Sequence, residues 1–204
     1  MRKMIVLLAA LLAGLSLADS ASAQQRTYWS ESDQAWVTYG AGAVARFFQG
    51  TETTRFPREE VSYNGPYGPK TIIVDTAARR LYYIYAPGKA IRYGVGVGRD
   101  GFTWSGTNVI SRKAEWPGWT PPQEMIEREK ANGVILPAYM PGGEDNPLGA
   151  RALYVGDTLY RIHGTSEPWT IGEAVSSGCI RLTNEDVIDL YDRIAVGTKI
   201  VVLE

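Results

Sequence analysis

The sequence predicts a mainly β protein with one or two helices. Short runs of β-branched, aliphatic and aromatic residues recur from residue 72 onward and are separated by turn-forming residues. One segment near the C-terminus, "LTNEDVIDLYDRI", instead combines a helix-capping signal with apolar residues at helical spacing. A second, shorter helix is expected near residues 122–130, inside a segment that is otherwise rich in proline, glycine and tryptophan.

The first strands form a hairpin followed by a glycine-rich strand. Residues 72–74 and 81–85 read as two strands joined by a polar turn, and "AIRYGVGVG" at residues 90–98 continues as a third. The glycines of this third segment are spaced as in a dinucleotide-binding loop, but no helix follows in the register that such a loop requires. Glycine in a strand more often marks a bulge or the close approach of another backbone.

A second hairpin is predicted around Gly156-Asp157 in "ALYVGDTLYRIHG". Alternation along its second strand places Leu159, Arg161 and His163 on one face of the sheet. His163 therefore comes at the end of a strand.

The C-terminal helix is predicted to begin after Thr183, with Asp186 three residues later as in a capping box. Its core-facing residues share one helical face: Val187, Leu190, Tyr191 and Ile194. The chain then ends with an apolar strand, "TKIVVL".

The first 23 residues have the three parts of a secretory signal peptide. Arg2 and Lys3 give a positive start, residues 4–17 are apolar, and "SASA" supplies small residues for cleavage near Ala23. The apolar run is shorter than the roughly 20 residues of a transmembrane helix. No Cys follows it to carry a lipid. We therefore expect an exported mature chain with no integral membrane segment.

Three regions are expected: the signal peptide at 1–23, an N-terminal extension or linker at 24–69, and one domain at 70–204. The extension is weakly patterned and ends in the turn formers "YNGPYGP"; it either folds back onto the domain or forms a small binding module. Removing the signal peptide leaves 19 basic residues against 21 acidic ones. This balance does not predict binding to nucleic acid or to a membrane surface.

Residues 114–149 form a long segment dense in proline, glycine and tryptophan. A loop of this length in a compact domain is usually functional, for example as a lid or as the wall of a groove. Trp104, Trp116 and Trp119 lie in or near it. These tryptophans either pack the loop against the core or form a surface that binds a sugar–peptide polymer. Substrate-groove contacts are expected somewhere in residues 99–150.

The chain contains one histidine, His163, and one cysteine, Cys179, each next to a glycine. Alone, a cysteine is more often a small buried apolar residue, and a histidine at a strand end is commonly a structural hydrogen-bonding group. One residue of each kind makes a poor metal site, and neither a metal nor an organic cofactor is expected. An exported chain gains little from an idle exposed thiol, so the pair is also a candidate nucleophile and base.

The segment "SSGCIR" fits a reactive cysteine better than a core residue. Small neighbours let a substrate approach closely, and backbone N–H groups in such a turn can face an oxyanion. Arg181 adds positive charge two residues later, which favours the thiolate. The base can only be His163, because there is no other imidazole.

The residues "IHGT", "IG" and "SSGCIRL" in this order resemble the signature of the L,D-transpeptidase catalytic domain, the YkuD type. "IIVDTAARRLYYIY" is similar to that family's opening hairpin, and "YGVGVGRDGFTWSGT" to its next strand pair. The resemblance covers residues 70–204, about two-thirds of the chain. It implies a β-sandwich of mixed sheets, with a helix following the catalytic cysteine.

The resemblance also implies an enzyme of the periplasm or cell wall that acts on peptidoglycan. Such an enzyme attacks the bond between the diamino acid and the terminal D-Ala of a tetrapeptide stem. It releases D-Ala and passes the acyl group to an amine. The acceptor is either another stem, giving a 3→3 cross-link, or an outer-membrane protein or lipoprotein that becomes anchored to the wall. No cofactor and no nucleic acid take part.

The resemblance implies roles for individual residues. Cys179 is the nucleophile, and His163 is the base and later the acid. The Gly164 carbonyl orients the imidazole. The backbone N–H groups of Gly178 and Cys179 are candidates for the oxyanion hole, and Arg181 lies near the substrate.

Two departures from the family pattern affect the substrate groove. Many members carry a second histidine where this chain has Ser177, so Ser177 is expected to contact substrate or to keep a hydrogen bond in the turn. The family's proline-containing segment is replaced by "TWSGTN". The nucleophile is unaffected by either change.

Two other functions remain open. A hydrolase with the same dyad would use water in place of the amine, as an L,D-carboxypeptidase does. A non-catalytic wall-binding protein would keep Cys179 as a core residue. A papain-like endopeptidase is disfavoured, because in those enzymes the cysteine precedes the histidine along the chain.

Overall fold

The structure, a computed structural model, describes residues 26–30, 35–39, 56–99 and 104–203. The predicted signal peptide lies outside these residues. The described strands are β1 (Arg26–Ser30), β2 (Ala35–Tyr39), β3 (Glu59–Ser62), β4 (Thr71–Asp75), β5 (Arg80–Ala86), β6 (Lys89–Gly94), β7 (Val97–Gly98), β8 (Gly106–Glu115), β9 (Arg151–Val155), β10 (Arg161–His163), β11 (Ala174–Ser176), β12 (Ile180–Arg181) and β13 (Lys199–Leu203). The described helices are α1 (Gln123–Ala131), α2 (Asn184–Arg193) and a 3-10 turn (Pro168–Thr170).

Nine of the described strands form one mixed sheet in the order β12-β10-β9-β8-β13-β4-β5-β6-β3. β12 runs parallel to β10 and β13 parallel to β4, whereas the other neighbours are antiparallel. β7 and β11 form a separate parallel pair, and β1 and β2 an antiparallel hairpin. The predicted mainly β fold with mixed sheets and two helices is confirmed.

The last strand lies in the middle of the sheet, between β8 and β4. Its three central residues are buried, as expected for a strand covered on both faces. Helix α2 packs its predicted face inward, with Val187 and Leu190 fully buried. The Thr183 hydroxyl accepts a hydrogen bond from the Asp186 N–H at 3.1 Å, which confirms Thr183 as the N-cap.

The hairpin that leads to His163 has a wider turn than the sequence predicts. β9 ends at Val155 and β10 begins only at Arg161. The Thr158 hydroxyl donates to the Val155 carbonyl at 2.6 Å and accepts from the Tyr160 N–H at 3.1 Å, so it closes the longer turn. Leu159 is consequently a turn residue, 72% exposed, and the prediction that it shares the strand face with Arg161 was wrong.

Part of the predicted extension joins the main sheet. β3 pairs with β6 along the edge of the sheet. The Arg80 guanidinium lies 4.1 Å from the centre of the Phe56 ring. The domain boundary near residue 70 stays a prediction.

The long segment between β8 and β9 has an anchored base and a projecting tip. Trp119 and Met140 exchange two backbone hydrogen bonds of 2.8 Å. The buried Asn146 amide donates to the Met140 and Pro141 carbonyls. Helix α1 at the tip has no buried residue, and Ile135 beside it is 91% exposed.

The tryptophans near this segment have different surroundings. Trp104 stacks on Tyr160 with ring centres 5.0 Å apart and packs against the main core. Trp116 is 43% exposed. Neither α-helix of the described residues is long and apolar enough to cross a membrane.

Candidate active site

Two adjacent parallel strands bring His163 and Cys179 to the same edge of the main sheet. β10 ends at His163, and β12 begins directly after Cys179. The parallel pairing aligns His163 with Arg181. Continuing that register by two residues towards the N-terminus places Cys179 beside Arg161. Because side chains two residues apart on a strand point to the same face, Arg161, His163 and Arg181 lie on one face. The continued register extends this face to Cys179, one residue before β12 begins.

The His163 imidazole is held in one tautomer. Its Nδ1 lies 2.5 Å from the Gly164 carbonyl oxygen, and the side chain is 4% exposed. A carbonyl oxygen can only accept a hydrogen bond, so Nδ1 carries the proton in the neutral ring. The other ring nitrogen, Nε2, therefore presents a lone pair that can accept a proton.

His163 is neutral at physiological pH. The pKa of its imidazole is lowered from 6.5 to about 3, chiefly by burial and also by the positive charges of Arg181 and Arg161, against the opposing effect of the Gly164 carbonyl. A neutral imidazole is the form that can act as a base.

Asn184 fixes the backbone that follows His163. Its Oδ1 accepts hydrogen bonds from the Ala150 N–H at 2.9 Å and the Thr165 N–H at 3.2 Å. A Cβ on Gly164 would collide with this same oxygen, which explains why glycine follows the histidine. No local sequence pattern marks Asn184 as a site residue, although it directly follows the helix-capping Thr183.

The turn before Cys179 is closed by Ser176. This buried hydroxyl donates to the Cys179 carbonyl at 2.6 Å and accepts from the Gly178 N–H at 3.1 Å. Gly178 has a φ of 101°, which favours glycine. The turn hydrogen bonds expected of Ser177 are thus made by its neighbour, a residue that sequence reasoning missed.

The two expected oxyanion donors differ in availability. The Gly178 N–H is already engaged by Ser176. The Cys179 N–H has no acceptor among residues 56–99 and 104–203. Cys179 itself is partly exposed, with Sγ 3.9 Å from the Leu159 carbonyl oxygen.

The two arginines beside His163 differ in their partners. Arg181 forms an ion pair of 3.4 Å with Glu167. Arg161 forms no ion pair within the described part of the chain, and its Nε is buried without an acceptor. Within the same described residues, no group of three or more His, Cys, Asp and Glu side chains could hold a metal ion.

A model of the L,D-transpeptidase catalytic domain matches residues 69–202. This match covers well over half of the chain and includes every residue of the site. The chain belongs to the L,D-transpeptidase family. Among curated relatives, it is 39% identical over 140 residues to the probable L,D-transpeptidase ErfK/SrfK of Escherichia coli K12, covering 66% of this chain and 44% of that protein. It is 42% identical over 135 residues to the probable L,D-transpeptidase YbiS of the same strain, covering 63% and 43%. The chain thus spans less than half the length of these relatives.

Solved structures agree on the fold. The NMR structure of the catalytic domain of the Enterococcus faecium L,D-transpeptidase superposes with a TM-score of 0.52 at 18% identity, covering 68% of this chain and 100% of that one. At this identity the likeness shows the fold alone.

A Brucella melitensis crystal structure has a discordant name, probable carnitine operon oxidoreductase. It is 44% identical with a TM-score of 0.50, covering 78% of this chain and 99% of that one. A dinucleotide site of the usual kind needs a glycine-rich loop that opens a helix. In this transpeptidase-family chain the corresponding glycines lie in and between strands β6 and β7. The name of that structure is therefore not carried over.

Proposed function

We propose that this protein is an exported peptidoglycan L,D-transpeptidase in which Cys179 and His163 form the catalytic dyad. The observation that carries the proposal is the parallel pairing of β10 with β12. It sets a neutral, tautomerically fixed imidazole and the only thiol of the chain on one face of adjacent strands. An activated cysteine requires a neutral base of this kind close to its thiol, which supports the proposal.

The first half of the reaction is acylation of Cys179. His163 Nε2 takes the thiol proton, and the sulfur attacks the carbonyl carbon between the diamino acid and D-Ala of a tetrapeptide stem. The Cys179 N–H is positioned to donate to the oxyanion that forms. The C–N bond then breaks, His163 returns its proton to the leaving amine, and D-Ala departs from a thioester.

The second half of the reaction resolves the thioester. An acceptor amine loses a proton to His163, attacks the thioester carbonyl, and forms a new amide while the thiol is restored. The acceptor is a second stem or an amine of a wall-anchored protein. Gly164 orients the imidazole, Arg181 and Ser177 lie beside the substrate path, and the reaction takes place in the periplasm or cell wall. No cofactor is needed for these steps.

Product analysis tests the proposal. Mature protein, beginning at Gln24, is incubated with isolated tetrapeptide-stem muropeptides, in parallel with Cys179→Ala, and the products are analysed by mass spectrometry. A 3→3 dimer that depends on Cys179 is expected. Loss of D-Ala without a dimer would indicate a hydrolase or a missing protein acceptor. Unchanged muropeptides would contradict catalysis and favour a binding role.

A further inference from the structure

A row of side chains crosses the sheet and ends at Cys179. Arg112 on β8 pairs with Tyr154 on β9, and Tyr154 pairs with Arg161 on β10. The parallel register then places Cys179 next in the row. Opposed residues on neighbouring strands project their side chains to the same face. The row therefore forms one continuous surface beside the thiol.

The centre of this row is an aromatic ring between two guanidinium groups. The Cζ of Arg112 lies 3.5 Å from the centre of the Tyr154 ring, and the Cζ of Arg161 lies 5.4 Å from it. Stacking on the ring restricts the conformations of the long Arg161 side chain without neutralising its charge. Arg161 is thereby a cation of restricted conformation on the strand that neighbours Cys179 in the continued register.

Arg161 is half-buried, and no carboxylate among residues 56–99 and 104–203 pairs with it. Two other half-buried arginines, on the strands beside β10, have carboxylate partners: Arg181 pairs with Glu167 at 3.4 Å, and Arg151 with Glu115 at 3.2 Å. The buried Nε of Arg161 lacks an acceptor, as do the Nε atoms of Arg151 and Arg181, so the missing carboxylate is what distinguishes Arg161 from these two. Because burying a polar group without a hydrogen bond costs free energy, this position favours an anionic ligand over an empty site.

The chemistry of a guanidinium selects a carboxylate as that ligand. Neighbouring strands are about 4.8 Å apart, so a carboxylate on Arg161 must be attached close to the carbon that Cys179 attacks. In a tetrapeptide stem the carboxylate of D-Ala is only three bonds from that carbon. The other carboxylates of the stem are separated from it by more bonds.

We propose that Arg161 binds the terminal carboxylate of the leaving D-amino acid while Cys179 attacks the adjacent carbonyl. The identity of the ligand rests on the proposed function, whereas a carboxylate site beside the thiol does not. Arg161 then selects stems with a free C-terminus and aligns the scissile bond.

The carboxylate site can be tested without any peptidoglycan substrate. Iodoacetate and iodoacetamide both alkylate a thiol with loss of iodide, and they differ in one negative charge. The measurement is the rate of Cys179 alkylation by each reagent, followed by intact mass, in the mature wild-type chain, Arg161→Gln and the control Arg92→Gln. Arg92 lies on β6 and pairs with Glu59, away from the row.

The ratio of the iodoacetate rate to the iodoacetamide rate is expected to fall about tenfold in Arg161→Gln and to stay unchanged in Arg92→Gln. The ratio cancels any effect of the substitution on the reactivity of the thiol itself. An unchanged ratio in Arg161→Gln, with Cys179 still alkylated by both reagents, would overturn the proposal.

The choice of carboxylate is tested with three donor peptides. These are a tetrapeptide stem, its C-terminal amide, and a stem amidated only on the diamino acid side chain. Arg161→Gln is expected to lower kcat/KM about tenfold for the first and third peptides and to change it little for the C-terminal amide. Equal losses of kcat/KM on all three peptides would overturn the assignment of the D-Ala carboxylate. A loss confined to the two peptides with a free side-chain carboxylate would show that Arg161 binds the side-chain carboxylate instead.

The two experiments separate the two proposals. A lowered alkylation ratio without turnover of any stem would keep the carboxylate site and reject the transpeptidase. Turnover of stems with an unchanged ratio would keep the transpeptidase and reject the role of Arg161.

Discussion

Two clusters of charged residues in this protein are built in opposite ways. At the His163 edge of the sheet, Arg161 has no carboxylate partner among the described residues and the imidazole stays neutral. On helix α2, the Asp189 carboxylate accepts hydrogen bonds from Tyr93 at 2.7 Å and Arg193 at 2.9 Å, and lies 3.5 Å from Arg58.

The difference shows which cluster is available for chemistry. Burial alone would raise the pKa of Asp189, but its hydrogen bonds from Arg193 and Tyr93 and the charge of Arg58 bring the pKa below its ordinary value. The Asp189 carboxylate is therefore satisfied by partners within the fold, as in a structural network. At the sheet edge, His163 presents a lone pair, and the Cys179 N–H and the Arg161 charge have no partner within the described part of the chain.

The largest effect is expected from replacing His163. His163→Ala removes the only imidazole, so acylation of Cys179 by a stem peptide or by a carbapenem-type β-lactam should slow by about 10²–10⁴-fold. Intact-mass kinetics measure the rate, and circular dichroism checks the fold; His163→Gln provides a variant of similar volume. Substantial turnover in either folded variant would contradict the assigned base.

A smaller loss of rate is expected at Asn184. Asn184→Ala leaves the Ala150 and Thr165 N–H groups without their acceptor, which loosens the backbone beside His163. Acylation should slow about tenfold, with a loss of about 1–3 kcal/mol in the free energy of unfolding. Asn184→Asp keeps an acceptor oxygen and should retain most of the rate. If both variants acylate as fast as wild type, the Asn184 contacts do not position the imidazole.

Replacing Asp189 should lower stability without changing activity, in contrast to the replacements at the sheet edge. Asp189→Asn weakens the contacts to Tyr93, Arg193 and Arg58, so the free energy of unfolding should fall by about 2 kcal/mol. The value of kcat/KM per folded molecule should not change. Urea denaturation and steady-state kinetics on the same preparation check both, and a lowered kcat/KM would show that the two clusters are coupled.

The smallest effects concern the pH dependence of stability. Asp186, which lies 3.4 Å from Arg58 in the α2 cluster, and His163 at the sheet edge should change stability with pH in opposite directions. Burial raises the pKa of Asp186 from 3.8 to about 6, so the native state binds its proton more readily and this contribution to stability is lost as pH rises from 4 to 6. The lowered pKa of His163 has the reverse consequence, since stability is lost as pH falls below 6.5.

Urea denaturation at several pH values between 4 and 7 tests these signs. In wild type, the free energy of unfolding should fall by about 2 kcal/mol as pH rises from 4 to 6 because of Asp186, and Asp186→Asn should remove this fall. His163→Gln should reduce the loss on acidification. Slopes identical to wild type in both variants would contradict the assigned titrations.

Local sequence patterns predicted much of the fold, including the elements that carry His163 and Cys179, because these elements depend on neighbours along the chain. The capping of α2 by Thr183, the strand that ends at His163 and the glycine turn before Cys179 are all of this kind. The missing features depend on contacts between distant segments. Asn184 acts on a backbone twenty residues earlier, and the unpaired state of Arg161 follows from cross-strand register, which no single segment encodes.

Local sequence patterns also did not give the exact positions of some features, which differ from the prediction by one or two residues. The alternation in "DTLYRIH" is compatible with a strand from Leu159, but the hydrogen bonds of the Thr158 hydroxyl favour a longer turn. Likewise, the sequence alone does not show which of two adjacent serines makes the turn hydrogen bonds. Packing distinguishes them, because Ser176 is buried in the turn.

The central claim is that Cys179 becomes acylated with the help of His163. The most direct measurement is the intact mass of the mature protein, quenched in acid within the first turnover with a tetrapeptide stem. The account predicts a thioester adduct with the mass of the stem lacking D-Ala, absent in Cys179→Ala and formed at least a hundredfold more slowly in His163→Ala. Release of D-Ala by Cys179→Ala, or an adduct that forms equally fast without His163, would contradict it.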